Sequence, residues 1–299
     1  MAAVICLGIV VQDCVFSVPE IPGSPRKVTA SDFRISGGGM AATAAVASAR
    51  LGGQVAFWGR LGDDAAGADL VAALRAHGVD ADAVQRRAGS RSPVSAVLVG
   101  PTGERMLAVY RGQLEAAADW LPLERLAAAQ AVLVDFRWLE GAERLLTAAR
   151  ARGVPSVLDA DVGDAAALAC LVPLADHVVF SQLGLAEFTG EVDPAQGLRK
   201  AAAAAPGLVA VTLGEQGSLF LMNGALQALP AFGVRAVDTN GAGDVFHGAY
   251  TLALAEGRAP LAAARFAAAA AALKCAAGGG WDSVPGRTSV DELLKGTAA

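Results

Sequence analysis

Apolar positions in the first third of the chain fall into short runs punctuated by glycine and proline, and run length separates strands from helices. Val4 to Val11 is a continuous apolar run of strand length and predicts a buried strand. Met40 to Leu51 is longer, built of small apolar residues and bounded by Gly37-Gly38-Gly39 and Gly52-Gly53, which predicts a buried helix. Val55 to Trp58 predicts a strand, and Asp64 to His77 a helix closed by Gly78. Val94 to Val99 and Arg105 to Tyr110 flank Gly100-Pro101-Thr102-Gly103 and predict a hairpin.

From Ala131 the pattern becomes regular. Strands are predicted at Ala131 to Phe136, Ser156 to Asp159, His177 to Phe180, Val209 to Leu213 and Ser218 to Leu221. Helices are predicted at Gly141 to Arg152, Asp164 to Leu171 and Pro194 to Ala205. Continuously apolar strands alternating with helices imply an α/β fold with a mainly parallel sheet covered on both faces. A short β-type stretch, Val234 to Val237, precedes two last helices, Val245 to Glu256 and Pro260 to Ala277. Two segments, about 12–35 and 92–112, interrupt the alternation; Pro19, Pro22 and Pro25 break the first. Both contain extended stretches, and they are expected to pair into a small β-lid.

Composition narrows this picture modestly. At 299 residues the chain can bury a core without disulfides or metal staples, and one domain over 1–299 is expected. A net charge of −5 gives no electrostatic reason to bind nucleic acid or an anionic membrane. Cys6, Cys14, Cys170 and Cys275 show no metal-ligand or Cys-x-x-Cys spacing, so they are expected to be reduced thiols of a cytoplasmic protein. The apolar N-terminal run lacks a basic leader and stops at Gln12-Asp13, which favours a core strand over a signal peptide. Lys274 interrupts the alanine-rich stretch from Phe266 to Ala277, which favours a buried helix over a membrane span.

The chemistry concentrates in Asp238-Thr239-Asn240-Gly241-Ala242-Gly243-Asp244, just before an apolar helical pattern. Gly241 and Gly243 permit a tight turn and close approach of a ligand to backbone N–H groups. Those N–H groups would sit at a helix start, where the dipole favours an anion. Asp244 at the same spot would put a base beside a phosphate acceptor, although an Asp in a first helical turn also serves as a simple cap. Competing motifs are missing. None of Lys27, Lys200, Lys274 and Lys295 lies in a P-loop pattern, and no Gly-x-Gly-x-x-Gly follows the first strand. No Gly-x-Ser-x-Gly elbow occurs, and His77, His177 and His247 lack metal-ligand spacing.

The seven-residue segment resembles the Asp-Thr-x-Gly-Ala-Gly-Asp signature of the ribokinase/PfkB family of sugar kinases, and the resemblance covers nearly the whole chain. It implies a ribokinase-like three-layer sandwich whose β-lid covers the active site and often forms a dimer contact, so a homodimer through the lid is expected. It also implies a sugar substrate, ATP and Mg²⁺, and leaves a monovalent cation open. Asp244 would be the base, with Gly241, Ala242 and Gly243 holding the transferred phosphoryl oxygens. Asp13, Gly38, Gly39 and Thr43 match positions that bind the sugar, Thr43 standing where most members carry Asn. Thr212, Gly214 and Gly217 resemble the nucleotide loop, and Asn240, Lys274 and Cys275 border the nucleotide by resemblance only. Ser181 and Gly184 replace the ends of the family's metal-linked Asn-x-x-Glu, so no metal ligand is carried over, and Ser181 remains a nucleotide-site candidate.

Several further stretches are similar to 6-deoxy-6-sulfofructose kinases: Gly38 through Gly52, Val134-Asp135-Phe136-Arg137-Trp138, Phe246-His247-Gly248 and Ala272-Leu273-Lys274-Cys275. There, positions matching Lys27 and Arg137 would hold the sulfonate. Val109 departs from that pattern, standing where a sulfonate-contacting Asn is expected; a lost polar contact of this kind costs about 1–3 kcal/mol. The expected activity is ATP-dependent phosphorylation of a primary hydroxyl, O1 of a ketose, with 6-deoxy-6-sulfofructose as one candidate. Fructokinase or ketohexokinase and 2-keto-3-deoxygluconate kinase activities are the alternatives within the family. A catalytically silent nucleotide or sugar sensor is the alternative of a different class.

Overall fold

The computed structural model describes residues 1–277 and 279–296. The chain opens with β1 (Ala3–Gly8), β2 (Val11–Ser17), β3 (Asp32–Gly38), α1 (Met40–Arg50) and β4 (Gln54–Gly62). Next come α2 (Ala65–Ala76), β5 (Val79–Asp80), β6 (Val84–Arg87), β7 (Val94–Val99) and β8 (Arg105–Tyr110). The alternating part runs β9 (Ala131–Asp135), α3 (Leu139–Arg152), β10 (Ser156–Ala160), α4 (Ala165–Leu171), β11 (His177–Ser181), α5 (Gln182–Thr189), α6 (Pro194–Ala201) and β12 (Leu208–Thr212). It closes with β13 (Ser218–Met222), β14 (Ala225–Leu229), α7 (Ala242–Ala255), α8 (Pro260–Ala277) and α9 (Arg287–Gly296).

The main sheet has the order β14-β13-β12-β11-β10-β9-β1-β4-β5, with β6 also on β4. Strands β9 to β12 pair in parallel with one another, as do β1 with β9 and β4. The β13–β14 hairpin adds two antiparallel strands at one edge. Strand alternation divides the core: Phe57 packs with α1, α7 and α8 on one face, while Trp58 packs with α3 and α4 on the other. Both are fully buried, which stabilises the fold by roughly 1.5–3 kcal/mol for a side chain of this size. Three layers result. Helix α8 is long and apolar enough to cross a membrane by composition alone, yet Ala263, Phe266, Ala267 and Ala270 on it are buried in the core.

The structure departs from the apolar pattern in three places. The run Val4 to Val11 is two strands in two sheets, because the chain turns at Gly8 and Ile9. A Cβ at Gly8 would overlap the Asp135 carboxylate, which accepts the Ile9 N–H at 2.8 Å. Val234 to Val237 forms no strand; Val237 is exposed and its N–H donates to the Cys275 carbonyl at the end of α8, 2.7 Å away. Helix α5 has no clear apolar pattern and is started by the Ser181 hydroxyl, which accepts the Gly184 N–H at 3.0 Å.

Segments 12–35 and 92–112 contribute most of a second sheet, ordered β3-β2-β7-β8. Helices α1 and α7 meet unusually closely beside it. A Cβ at Gly248 would overlap the Ala44 carbonyl, and the Ser48 hydroxyl donates to the Gly248 carbonyl at 2.9 Å. Small residues on both helices therefore bring Thr43 on α1 within reach of Gly241, which caps α7.

Candidate active site

A cavity of about 470 Å³ lies between the carboxyl ends of the central strands, the second sheet and the start of α7. An open α/β sheet offers its ligand crevice there. Asp135, buried at the end of β9, organises one wall: it accepts the N–H groups of Ile9, Ala41 (3.1 Å) and Arg137 (2.9 Å). One carboxylate thereby fixes the β1 turn, the start of α1 and the backbone of Arg137. Burial pushes its pKa up against those three hydrogen bonds.

Asp13 comes from β2 and faces the same cavity, its Oδ1 accepting the Ser95 hydroxyl at 2.5 Å. A Cβ at Gly38 would overlap the Asp13 carboxylate, so the glycine leaves room for it. Burial raises the Asp13 pKa and the Ser95 hydrogen bond lowers it, with burial winning. Thr43 lines the cavity, but its Oγ1 accepts the Trp281 indole N–H at 2.9 Å. Its hydroxyl proton remains available to a ligand.

At the opposite wall Gly241 adopts φ 73°, a left-handed turn, and starts α7 with no side-chain cap. The Cβ position at Gly243 is free of neighbours within 4 Å, so a ligand can approach the backbone. Asp244 follows in the first turn. Burial pushes its carboxyl well above the usual range, and the neighbouring Asp159 pushes the same way. Asp159 is itself buried, and its Oδ2 has no hydrogen-bond partner, although His247 Nδ1 lies 3.4 Å away. Both His247 ring nitrogens face carbonyl oxygens, Nδ1 that of Gly243 at 2.7 Å and Nε2 that of Val179 at 3.1 Å. Burial pulls the His247 pKa down against the pull of those carbonyls and Asp244.

Lys274, on α8, is buried; its Nζ donates to the Asp238 carbonyl at 3.0 Å and sits 3.6 Å from the Asp238 carboxylate. Arg105 reaches across from the second sheet, donating to Thr239 Oγ1 at 2.9 Å. The glycine turn is thus tied to α8 on one side and to β8 on the other. Burial works against the Asp238 charge, but the Asn240 N–H, Lys274 and Arg105 outweigh it and lower the pKa.

A second, apolar groove of about 650 Å³ begins where the first cavity ends, sharing Thr212 and Gly243 with it. Gly214, Gly217, Phe232, Phe246, Ala272 and Cys275 line it. Of the residues singled out from sequence, Asp13, Gly38, Gly39, Thr43, Arg137, Ser181, Thr212, Asn240, Gly241, Gly243, Asp244 and Lys274 line the first, polar cavity. Ala242, Gly214, Gly217 and Cys275 line the groove. Lys27 lines neither and sits exposed between β2 and β3. Ser181 is occupied with Gly184 and with Asp161, to which its hydroxyl donates at 2.6 Å. Sequence reasoning missed Asp135, Asp159, Asp161, Arg34 and Arg111. The first three sit at or just past strand ends, a position that could have flagged them; the two arginines carry no local signal.

The model of the pfkB family carbohydrate kinases matches residues 1–287. The chain belongs to that family. It is similar to ribokinase from Bacillus subtilis (strain 168), 29% identical over 298 residues that cover 98% of this chain and 100% of the relative. Fructokinase-1 of Zea mays is 31% identical over 252 residues, 78% of this chain and 77% of that one. The structure of Arabidopsis thaliana ribokinase complexed with ribose and ATP superposes with a TM-score of 0.87 at 26% identity, covering 99% of each chain. The fold is ribokinase-like, and membership makes this pfkB chain an ATP-dependent sugar phosphotransferase with an alcohol acceptor.

Proposed function

We propose that this chain phosphorylates a primary hydroxyl, O1 of a ketose, in the polar cavity, with ATP in the apolar groove. The observation that carries the proposal is the junction: an open Gly243 backbone and the Asp244 carboxyl stand where the two cavities meet. Asp244 accepts the hydroxyl proton as the oxygen attacks the γ-phosphorus. The N–H groups of Gly241 and Gly243 stabilise the charge that develops on the transferred oxygens, joined by that of Ala242 if it leaves the Thr239 carbonyl, to which it donates at 3.2 Å. Each such donor is worth about 10²–10³-fold, and a positioned base about 10²–10⁴-fold. Asp13 and Thr43 orient the sugar, while Thr212, Asn240 and Lys274 face the phosphates. Gly214, Gly217 and Cys275 border the nucleoside. The Arabidopsis relative, solved with ribose and ATP, supports a site that takes a sugar and a nucleotide.

Among the described residues no three His, Cys, Asp or Glu side chains converge on a metal cage. That fits a Mg²⁺ carried in on the nucleotide, since this ion keeps several waters and takes one or two carboxylates. Asp159 and Asp161 are the carboxylates that would face such an ion, which when bound would supply neutralisation of phosphate charge. Residues 12–35 and 92–112 serve as a lid on a single kinase domain. Phe33, Ile35, Leu107 and Val109 leave the second sheet with apolar side chains more than half exposed. A second copy of the chain covers them in a homodimer, and the protein works in the cytoplasm, where its four free thiols persist.

The resemblance to 6-deoxy-6-sulfofructose kinases supports a sulfonated ketose as acceptor, and Arg137 lines the cavity that would hold it. The maize fructokinase relative keeps fructose as the second reading. ADP release with fructose, ribose, 2-keto-3-deoxygluconate and 6-deoxy-6-sulfofructose separates them. The sulfonated ketose should give the highest kcat/KM, and Arg137→Ala should raise its KM far more than that for fructose. Equal losses on both would assign the site to a neutral ketose, and no turnover with any sugar would favour a silent sensor.

A further inference from the structure

Beyond Arg137 the acceptor cavity continues into a side chamber of about 260 Å³ that three arginines share: Arg60, Arg111 and Arg137. Arg111 and Arg137 line both spaces, so the chamber opens from the acceptor end. Among the described residues none of the three makes an ion pair. The one acid lining the chamber, Asp164, caps α4 by accepting the Ala167 N–H at 2.9 Å. Asp135 and Glu140 act on Arg60, and Asp135 on Arg137, through space without a direct ion pair, so the three guanidinium groups keep donors that an anion in the chamber could take up.

Two of the three are already aimed. Arg60 lies 4.3 Å over the Trp138 ring, and its guanidinium donates to the Glu115 carbonyl. Arg137 lies 4.3 Å over the Phe136 ring and donates to the Val162 carbonyl at 3.0 Å. Contact of a guanidinium with a ring face, together with one carbonyl hydrogen bond, holds the fork in place while its other N–H groups stay free. Burial pushes the Arg60 pKa down to about 10, which leaves it cationic at neutral pH. Arg111 has neither hydrogen bond nor stacking partner among the described residues and lies two residues beyond Val109, which lines the same acceptor cavity.

We propose that Arg60, Arg111 and Arg137 form a subsite for a tetrahedral oxyanion, a sulfonate or a phosphate ester, at the end of the acceptor remote from its phosphorylated hydroxyl. The inference rests on the assignment of the polar cavity to the acceptor sugar. Guanidinium forks match such oxyanions through paired hydrogen bonds. Arg111 supplies, from just past the edge strand β8, a polar contact that Val109 cannot, and Lys27 takes no part.

Titration calorimetry on the full chain without nucleotide tests this, using fructose, fructose 6-phosphate and 6-deoxy-6-sulfofructose as probes. The wild type should bind at least one anionic ketose about a hundredfold more tightly than fructose, and Arg111→Ala and Arg60→Met should each cut that ratio about tenfold or more. Whichever anionic ketose shows the larger ratio names the source of the oxyanion. Arg60→Lys, which keeps the charge over Trp138, should retain more of the ratio than Arg60→Met. A wild-type ratio near one, or a ratio that neither Arg111→Ala nor Arg60→Met changes, overturns the subsite. ADP release is scored separately. Arginine-dependent binding of an anionic ketose without turnover would uphold the subsite and sink the kinase assignment, whereas turnover of fructose with no anion preference would do the reverse.

Discussion

The acceptor cavity and the apolar groove share Thr212 and Gly243, yet they are made of different material. The cavity is lined by Asp13, Arg137, Asp159, Asp244 and Lys274, groups brought from strand ends and helix starts across the whole chain. The groove is lined by glycines, alanines and two phenylalanines, several of them from one face of α8. Charged groups held by backbone hydrogen bonds recognise a small polar ligand through directed contacts. Small apolar residues recognise a flat ring through shape and close approach. On the proposed reading the polar cavity would fix its ligand closely, as chemistry requires, and the groove would hold the other as a handle.

That contrast can be broken at its boundary with the largest effect. Asp244→Asn should lower kcat by about 10²–10⁴-fold while ketose and nucleotide affinity persist, read by steady-state kinetics beside calorimetry. A variant turning over near the wild-type rate would strip Asp244 of its role. The base must be ionised to act, and Asp159 and burial hold its pKa well above the ordinary Asp range. Activity should therefore fall as pH drops through that raised value, and Asp159→Asn, by removing a like charge, should move the acid limb to lower pH.

A perturbation confined to the polar side comes next. Gly38→Ala pushes a methyl group into the Asp13 carboxylate. It should raise the acceptor KM about tenfold to a hundredfold, the worth of a hydrogen bond to a charged group. The nucleotide KM should move much less. On the apolar side, Ala272→Phe narrows the groove. It should raise the nucleotide KM about tenfold, in the range of overpacking costs, with little change for the sugar. If each substitution disturbed both ligands equally, the two spaces would be one site.

The same contrast explains what the sequence disclosed. Gly241, Gly243 and Asp244 are neighbours in the chain, so their motif and its position at a helix start were visible as text. Strand–helix alternation from Ala131 onward likewise carried the parallel sheet. Asp13 and Gly38 meet only because β2 and β3 pair antiparallel, Val11 opposite Gly38. The apolar run from Val4 to Val11 could not reveal the change of sheet at Gly8, because that turn is made by Asp135, more than a hundred residues away. Arg60 lies on β4 of the main sheet and Arg111 just past β8 of the second sheet, and no local pattern joins them. Val234 to Val237 looked like a strand because valine suits one, but the Cys275 carbonyl on α8 accepts the Val237 N–H, and that of Asp238, instead of a strand partner.

The most direct test of the central claim is a crystal structure with a non-hydrolysable ATP analogue and a ketose bound together. The account predicts the Asp244 carboxylate within hydrogen-bond distance of O1, with the γ-phosphate oxygens on the N–H groups of Gly241 to Gly243. A carboxylate turned from the sugar toward Asp159 and His247, or a γ-phosphate bound away from the glycine turn, would contradict it.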